Sequence, residues 1–357
     1  MFINLITVLV FLLILSVLVL VHELGHFLAA KKFGIYVEEF GFGLPPRIFG
    51  KKIGETLYSI NLLPFGGFVK LYGEEGFEGK SKGKIGKLRA FYTRPVWQRI
   101  LVISAGVFMN FLLALAVISY IFTQGVLVPT DRVHIEKIIK DSPAEKAGLK
   151  EQDIILEIEN SKVRKSEDLI NTTRKYLGTE ITLLVLRDNR EYQIKLIPRS
   201  DYPADQGPMG VSISNFEEKK YTWEEAPIAG LKESLVLTRE LIIGIGKTLW
   251  KLVTFQNVSK EVAGPIGIAQ MTGEAIKFGR NAVLEMLGLL SLNLAIINIL
   301  PFPALDGGRL FFVIFEGITG KRVKTDWERY IHQAGMAILL FLIILVTVND
   351  LIRIFGK

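Results

Sequence analysis

The sequence contains no cysteine, which excludes disulfides and every cysteine-ligated metal site. Histidine is almost as scarce, with four residues in 357. Charge is absent from residues 5–21, a run of 17 that approaches the length needed to cross the apolar core of a bilayer. The opening Met1-Phe2-Ile3-Asn4 carries no basic residue, and no small-residue cleavage site precedes His22. This first run is therefore expected to stay in the protein rather than act as a cleaved signal. Internal repeats are missing, which argues against a transporter built from two related halves. The net charge of +7 fits the basic cytoplasmic loops of a membrane protein, and no nucleic-acid partner is expected.

Hydrophobic residues make up 50% of the chain and gather into separate runs between charged stretches. The pattern is that of a polytopic α-helical membrane protein with about four transmembrane helices, expected over 1–30, 100–125, 283–306 and 334–357, and with the lipid bilayer as a partner. Residues 31–99 carry 13 Lys and Arg against 6 Asp and Glu, with Lys31-Lys32 at the membrane exit. The positive-inside rule makes this loop cytoplasmic, and with it a second loop over 307–333. Inside the first loop, Thr56–Leu62 and Phe68–Tyr72 alternate as strands on either side of the turn signal Pro64-Phe65-Gly66-Gly67. A cytoplasmic, membrane-associated β-hairpin follows. An open edge there can pair with an extended peptide, which makes Gly66, Gly67, Phe68 and Val69 candidate substrate-binding residues. A hairpin that only packs under the helices is an equal alternative. The Gly- and Lys-rich residues 76–90 read as an exposed link. Residues 126–200 have short β-like runs and two short helices, an α+β insert of soluble composition. Residues 201–282 read as a linker followed by an amphipathic helix at the interface, because Leu231–Val253 is interrupted by Arg239, Glu240, Lys247 and Lys251.

The chemistry gathers at Val21-His22-Glu23-Leu24-Gly25-His26, where the first run ends. His22 and His26 are four apart, so on a helix both imidazoles leave one face and can grip one Zn²⁺. Glu23 adjoins the first ligand and can serve as general base toward a water. Ionisable groups inside an apolar span are costly, so a chance match is a poor alternative. A catalytic zinc takes three protein ligands and leaves one position open. His134 and His332 lie outside the expected spans, which leaves Asp306 as the better third ligand. It follows Pro301 and Pro303, which cannot continue a helix, and precedes Gly307-Gly308, which permits a tight turn. Its alternative is to cap the next helix. Asn298 stands in an apolar span and can donate to a developing oxyanion, or equally make an interhelical hydrogen bond. Gly106 and Asn110, one turn apart in the second span, suit close helix packing.

Within the insert, Ser142-Pro143-Ala144, Ala147-Gly148-Leu149 and Asp153-Ile154-Ile155 resemble the signature of bacterial PDZ domains, with Gln152 where glycine is usual and Glu159-Asn160-Ser161 where Asn-Gly is usual. The paired motifs His22-Glu23-x-x-His26 and Asn298…Pro301…Leu305-Asp306-Gly307 resemble the site-2 protease family. The insert and Gly264-Pro265-Ile266-Gly267-Ile268-Ala269-Gln270 resemble its regulator-of-sigma-E branch, here with room for one PDZ domain rather than two. The resemblance implies a zinc intramembrane endopeptidase of a bacterial inner membrane, acting on single-pass membrane proteins such as anti-sigma factors or remnant signal peptides. It implies His22, His26 and Asp306 as ligands, Glu23 as the activating base, Asn298 as an oxyanion or substrate-backbone donor, Asn110 on the substrate side, and a hairpin that engages unwound substrate. The PDZ-like unit would face outside and bind peptides or carboxyl ends, or act as a gate. The rival from another class is a membrane scaffold with a structural metal and a recruiting PDZ domain.

Overall fold

The computed structural model describes residues 4–74, 88–203, 206–254 and 263–355. Most of the 76–90 link therefore lies outside the described residues. Two compact units emerge: residues 1–121 with 223–357, and residues 122–222.

In the first unit, four helices are long and apolar enough to cross a membrane: α1 (Leu5–Lys32), α2 (Val96–Gln124), α7 (Arg280–Ile299) and α9 (Thr325–Phe355). Asn4 starts α1 by accepting the Thr7 N–H at 2.8 Å, and Lys31 and Lys32 close it where cations suit the carbonyl end. Between these helices lie α5 (Ala226–Val253), α6 (Pro265–Phe278) and α8 (Asp306–Thr319). The Gly-Pro-x-Gly run at the start of α6 has a packing cause. Asp350 of α9, fully buried, accepts the Gly267 N–H at 2.7 Å, and a side chain at Gly264 would strike its carboxylate.

Two expectations change here. Residues 307–333 are not one loop, because α8 occupies Asp306–Thr319 and α9 begins at Thr325. Gly307 and Gly308 lie in the first turn of α8, where any Cβ would run into the backbone of residues 299–303. These glycines serve close approach rather than a turn. The hairpin also differs. Val37–Ile53 forms a long bent strand, β1, and Thr56–Leu71 a second, β2. Residues 56–60 and 67–71 do not pair with each other. Both flank β1, with Phe40 opposite Tyr58 on one side and Val69 on the other, while Arg47–Ile53 folds back on Thr56–Asn61. The β1 segment escaped a reading by alternation because Gly41, Gly43, Pro45 and Pro46 interrupt it. Residues 67–71 thus form a sheet edge beside α1. Ser16 donates to the Pro64 carbonyl at 3.3 Å, and the Phe27 ring lies 5.1 Å from that of Phe40. At the far end of the sheet, Glu55 accepts from Arg89 and from Lys31, and these cations hold its carboxyl down at about 2.

The second unit has strand order β7 (Arg190–Leu196), β6 (Ile181–Arg187), β4 (Ile154–Ile158), β3 (Val126–Ile138), β8 (Val211–Lys219), with β5 (Ser161–Lys162) beside β4. Helices α3 (Pro143–Lys146) and α4 (Ser166–Lys175) complete it. Val133, Ile155, Leu169, Leu183 and Val185 are all fully buried in its core. Strand β8 falls in the stretch read as linker, so the insert runs to residue 222 rather than 200. Asn215 of β8 explains why it belongs: its amide donates to the Arg132 and Arg164 carbonyls and accepts from Ser166, tying β8 to β3 and to α4. Gln152, Glu159 and Asn160 have positive φ, so the departures from the PDZ pattern are absorbed in turns. Asp153 is buried and accepts twice from Arg187 at 2.6 Å and once from the Lys150 N–H. Asp153→Ala is expected to destabilise this unit by about 3 kcal/mol by stranding that guanidinium. Proteolysis of the full-length protein across a urea series measures the change.

Candidate metal centre

The last two turns of α1 are held against α2 by an absence of side chains. A Cβ on Gly25 would enter the Ala105 carbonyl, and one on Gly106 would lie 2.5 Å from His26 Nε2 and 2.8 Å from the His22 ring. The small-residue pattern in the second span therefore does more than allow close packing. It makes room for two imidazoles.

Each ring is fixed from behind. His26 Nδ1–H donates to the Val102 carbonyl at 2.8 Å, which leaves Nε2 with its lone pair forward. His22 Nδ1 lies 3.2 Å from the Asn110 side-chain amide, and Ser291 Oγ donates to the Asn110 backbone carbonyl at 2.7 Å. Asn110 Oδ1 otherwise has no partner, so the amide oriented with that oxygen toward His22 Nδ1–H satisfies both groups. Asn110 is fully buried, behind the His22 ring.

Asp306 arrives from the other end of the chain. It is the first residue of α8, and Leu305 is the capping residue with no side-chain cap bond, so Asp306 does not cap. Its Oδ2 lies 2.8 Å from His22 Nε2 and 3.2 Å from His26 Nε2, and the two Nε2 atoms are 3.1 Å apart. These three are a candidate metal-holding group among the described residues. Tetrahedral zinc with bonds of about 2.1 Å sets its ligand atoms roughly 3.4 Å apart. Two imidazole lone pairs and a carboxylate oxygen at such spacings suit that ion, and each histidine has the rear hydrogen bond that zinc ligands use.

Glu23 points elsewhere on the same helix turn. Its Oε2 accepts the Val69 N–H at 2.9 Å. Val69 lies on the sheet edge formed by residues 67–71, so the strand next to α1 and the acid next to His22 meet. With Phe68, His26 and Asp306 they line a cavity of about 320 Å³ whose wall also holds Arg309 and Glu74, an ion pair between α8 and the end of β2. Gly66 has φ +77 at the turn, and Gly67 approaches both the Gly41 carbonyl and Leu20. Asn298 is half-buried near the end of α7. It makes no side-chain hydrogen bond among the described residues.

Sequence reasoning missed the ion pairs that anchor α8. Arg99, buried in α2, pairs with Glu316 through two hydrogen bonds of 2.9 and 2.6 Å, and its guanidinium holds the Glu316 carboxyl below the usual carboxylate range. An arginine one turn inside an apolar span was the signal available.

The model for peptidase family M50 matches residues 10–342. The chain belongs to this family. It is an intramembrane zinc metallopeptidase of the site-2 protease type. CPE1693 of Clostridium perfringens, named for a zinc metalloprotease, is 36% identical over 96% of this chain and 97% of its own. The regulator of sigma-W protease RasP of Bacillus subtilis is 31% identical over 99% of this chain and all of its own. Among solved structures, the PDZ domain of an SdrC-like protein from Listeria monocytogenes matches 25% of this chain and 93% of its own, at 20% identity and a TM-score of 0.22.

Gly106→Ala is expected to weaken zinc binding at least about 10-fold, because its Cβ would displace the rings. Competition with a chromophoric chelator reads the affinity directly.

Proposed function

We propose that His22, His26 and Asp306 hold the zinc, and that Glu23 is the general base in cleavage of transmembrane segments of single-pass membrane proteins. The observation that carries this reading is the convergence of both Nε2 atoms and Asp306 Oδ2 beside a carboxylate that no ligand uses. Zinc at such a site polarises the scissile carbonyl and makes a water acidic near neutral pH. Glu23 takes a proton from the attacking water and passes it to the leaving amide nitrogen. Asn298, with a free amide at the end of α7, donates to the carbonyl oxygen or to the substrate backbone. A structural metal would want a fourth protein ligand, and the described residues offer three.

A transmembrane helix must unwind before its backbone can be cut. The edge formed by Gly67, Phe68 and Val69 supplies replacement hydrogen bonds by strand addition, and a peptide laid there passes Glu23. The basic loop over 31–99 sets the centre toward the cytoplasmic side of a bacterial inner membrane and residues 122–222 outside it. Membrane-bound regulators of sigma factors are the substrate class that the Bacillus subtilis relative's name suggests.

Residues 122–222 act as a PDZ domain that reads carboxyl ends exposed by earlier trimming. Among the described residues strand β8 is paired only with β3, and a cavity of about 380 Å³ lies against it, lined by Leu169, Ile170 and Thr173 of α4 and by residues 207–210. A terminal peptide can add to β8 there, with its carboxylate at the glycine turn.

Glu23→Gln is expected to retain zinc and to slow cleavage of a model single-span protein by about 10²–10⁴-fold. Metal analysis and turnover in detergent check the two halves separately. Ile170→Glu, on an exposed wall of the groove, is expected to abolish the preference for substrates with a free apolar carboxyl end while leaving cleavage of a tail-blocked substrate unchanged. Paired rates on the two substrates test it.

A further inference from the structure

His332 is the one histidine of the membrane unit outside the ligand set. It lies in α9, and its Nδ1 accepts the backbone N–H of Ala304 at 3.0 Å. Ala304 sits two residues before Asp306 with φ +79, a left-handed conformation that a residue bearing a Cβ keeps only when its surroundings impose it. The rest of the turn cannot impose it alone. Pro301 and Pro303 have no N–H, and the Phe302 and Leu305 amides bond within the turn, to the Leu300 and Phe302 carbonyls. The Ala304 amide is the turn's hydrogen bond to another element, and His332 is its acceptor.

The ring is itself held. Phe312 of α8 lies 5.8 Å from it, centroid to centroid, and Gly335 places the next part of α9 so close to Pro303 that a Cβ would fall 2.6 Å from the Pro303 carbonyl oxygen. Acceptance at Nδ1 puts the ring proton on Nε2, an enclosed atom without a hydrogen-bond partner among the described residues. The imidazole is thus committed to one side.

We propose that His332 is a positioning residue for the metal centre: by accepting the Ala304 amide it holds the turn that presents Asp306 Oδ2 to His22 and His26. This rests on the reading that those three residues bind zinc. His332 touches neither the metal nor the substrate. It acts on the carboxylate through two residues of backbone, as outer hydrogen bonds do at other metal sites.

The test compares His332→Asn with His332→Leu in the full-length chain in detergent. Asparagine puts an acceptor oxygen on Cγ, where histidine has Nδ1, and leucine has a similar shape with no acceptor. Zinc affinity is read by chelator competition, with His22→Ala as the reference for a lost ligand. The expected result is an affinity about 10-fold weaker for His332→Leu and near the starting value for His332→Asn. Cleavage by His332→Leu should recover as free zinc is raised. Unchanged affinity in both variants overturns the proposal, as does an equal loss in both, which would assign the ring's shape rather than its acceptor. A His22→Ala chain that binds zinc as tightly as the starting protein would instead overturn the ligand reading.

Discussion

Where α1 crosses α2, the space left by a missing side chain is taken by two imidazole rings, and the rest of the membrane unit is arranged around them. Gly25 lets the helix backbones close, and Gly106 leaves the space that His22 and His26 fill. The same crossing supplies the polar atoms that buried imidazoles need, the Val102 carbonyl for one ring and the Asn110 amide for the other. Burying such groups in an apolar bundle is costly unless they are hydrogen-bonded. Both rings then present one nitrogen each in one direction, and Asp306 is brought to that spot by a turn, a short amphipathic helix and two ion pairs.

Much of this was legible. The four spans and the histidine pair follow from apolar length and from the cost of charge within it, and both are strong one-dimensional signals. Asp306 was visible because prolines break the helix just before it. Other features depend on partners far away in sequence. Gly307 and Gly308 look like a turn until the backbone of residues 299–303 is seen pressed against them. Residues 201–219 read as a linker because Asn215, whose four hydrogen bonds make β8 part of the sheet, has no local pattern to reveal it. The sheet near the active site hid its central strand behind glycines and prolines. His332 carried no sequence signal at all, since its partner is a backbone N–H.

The acid beside the first ligand and the sheet edge are joined by one hydrogen bond, Val69 N–H to Glu23. In the mechanism proposed above, the group that moves protons and the strand that can receive a peptide are thereby kept in register. Any shift of the edge along α1 would then move the proposed peptide position and the proposed base together, so alignment of the scissile bond would not depend on two separate loops.

The first and last strands of the second unit, β3 and β8, run side by side, with Val126 opposite Lys219. The chain therefore enters and leaves this unit at almost the same point. To the helices, those hundred residues are a closed excursion with a fixed doorway. Such an excursion can be lengthened or exchanged without altering the path of the chain through the helices, so one unit is free to change while the other stays as it is.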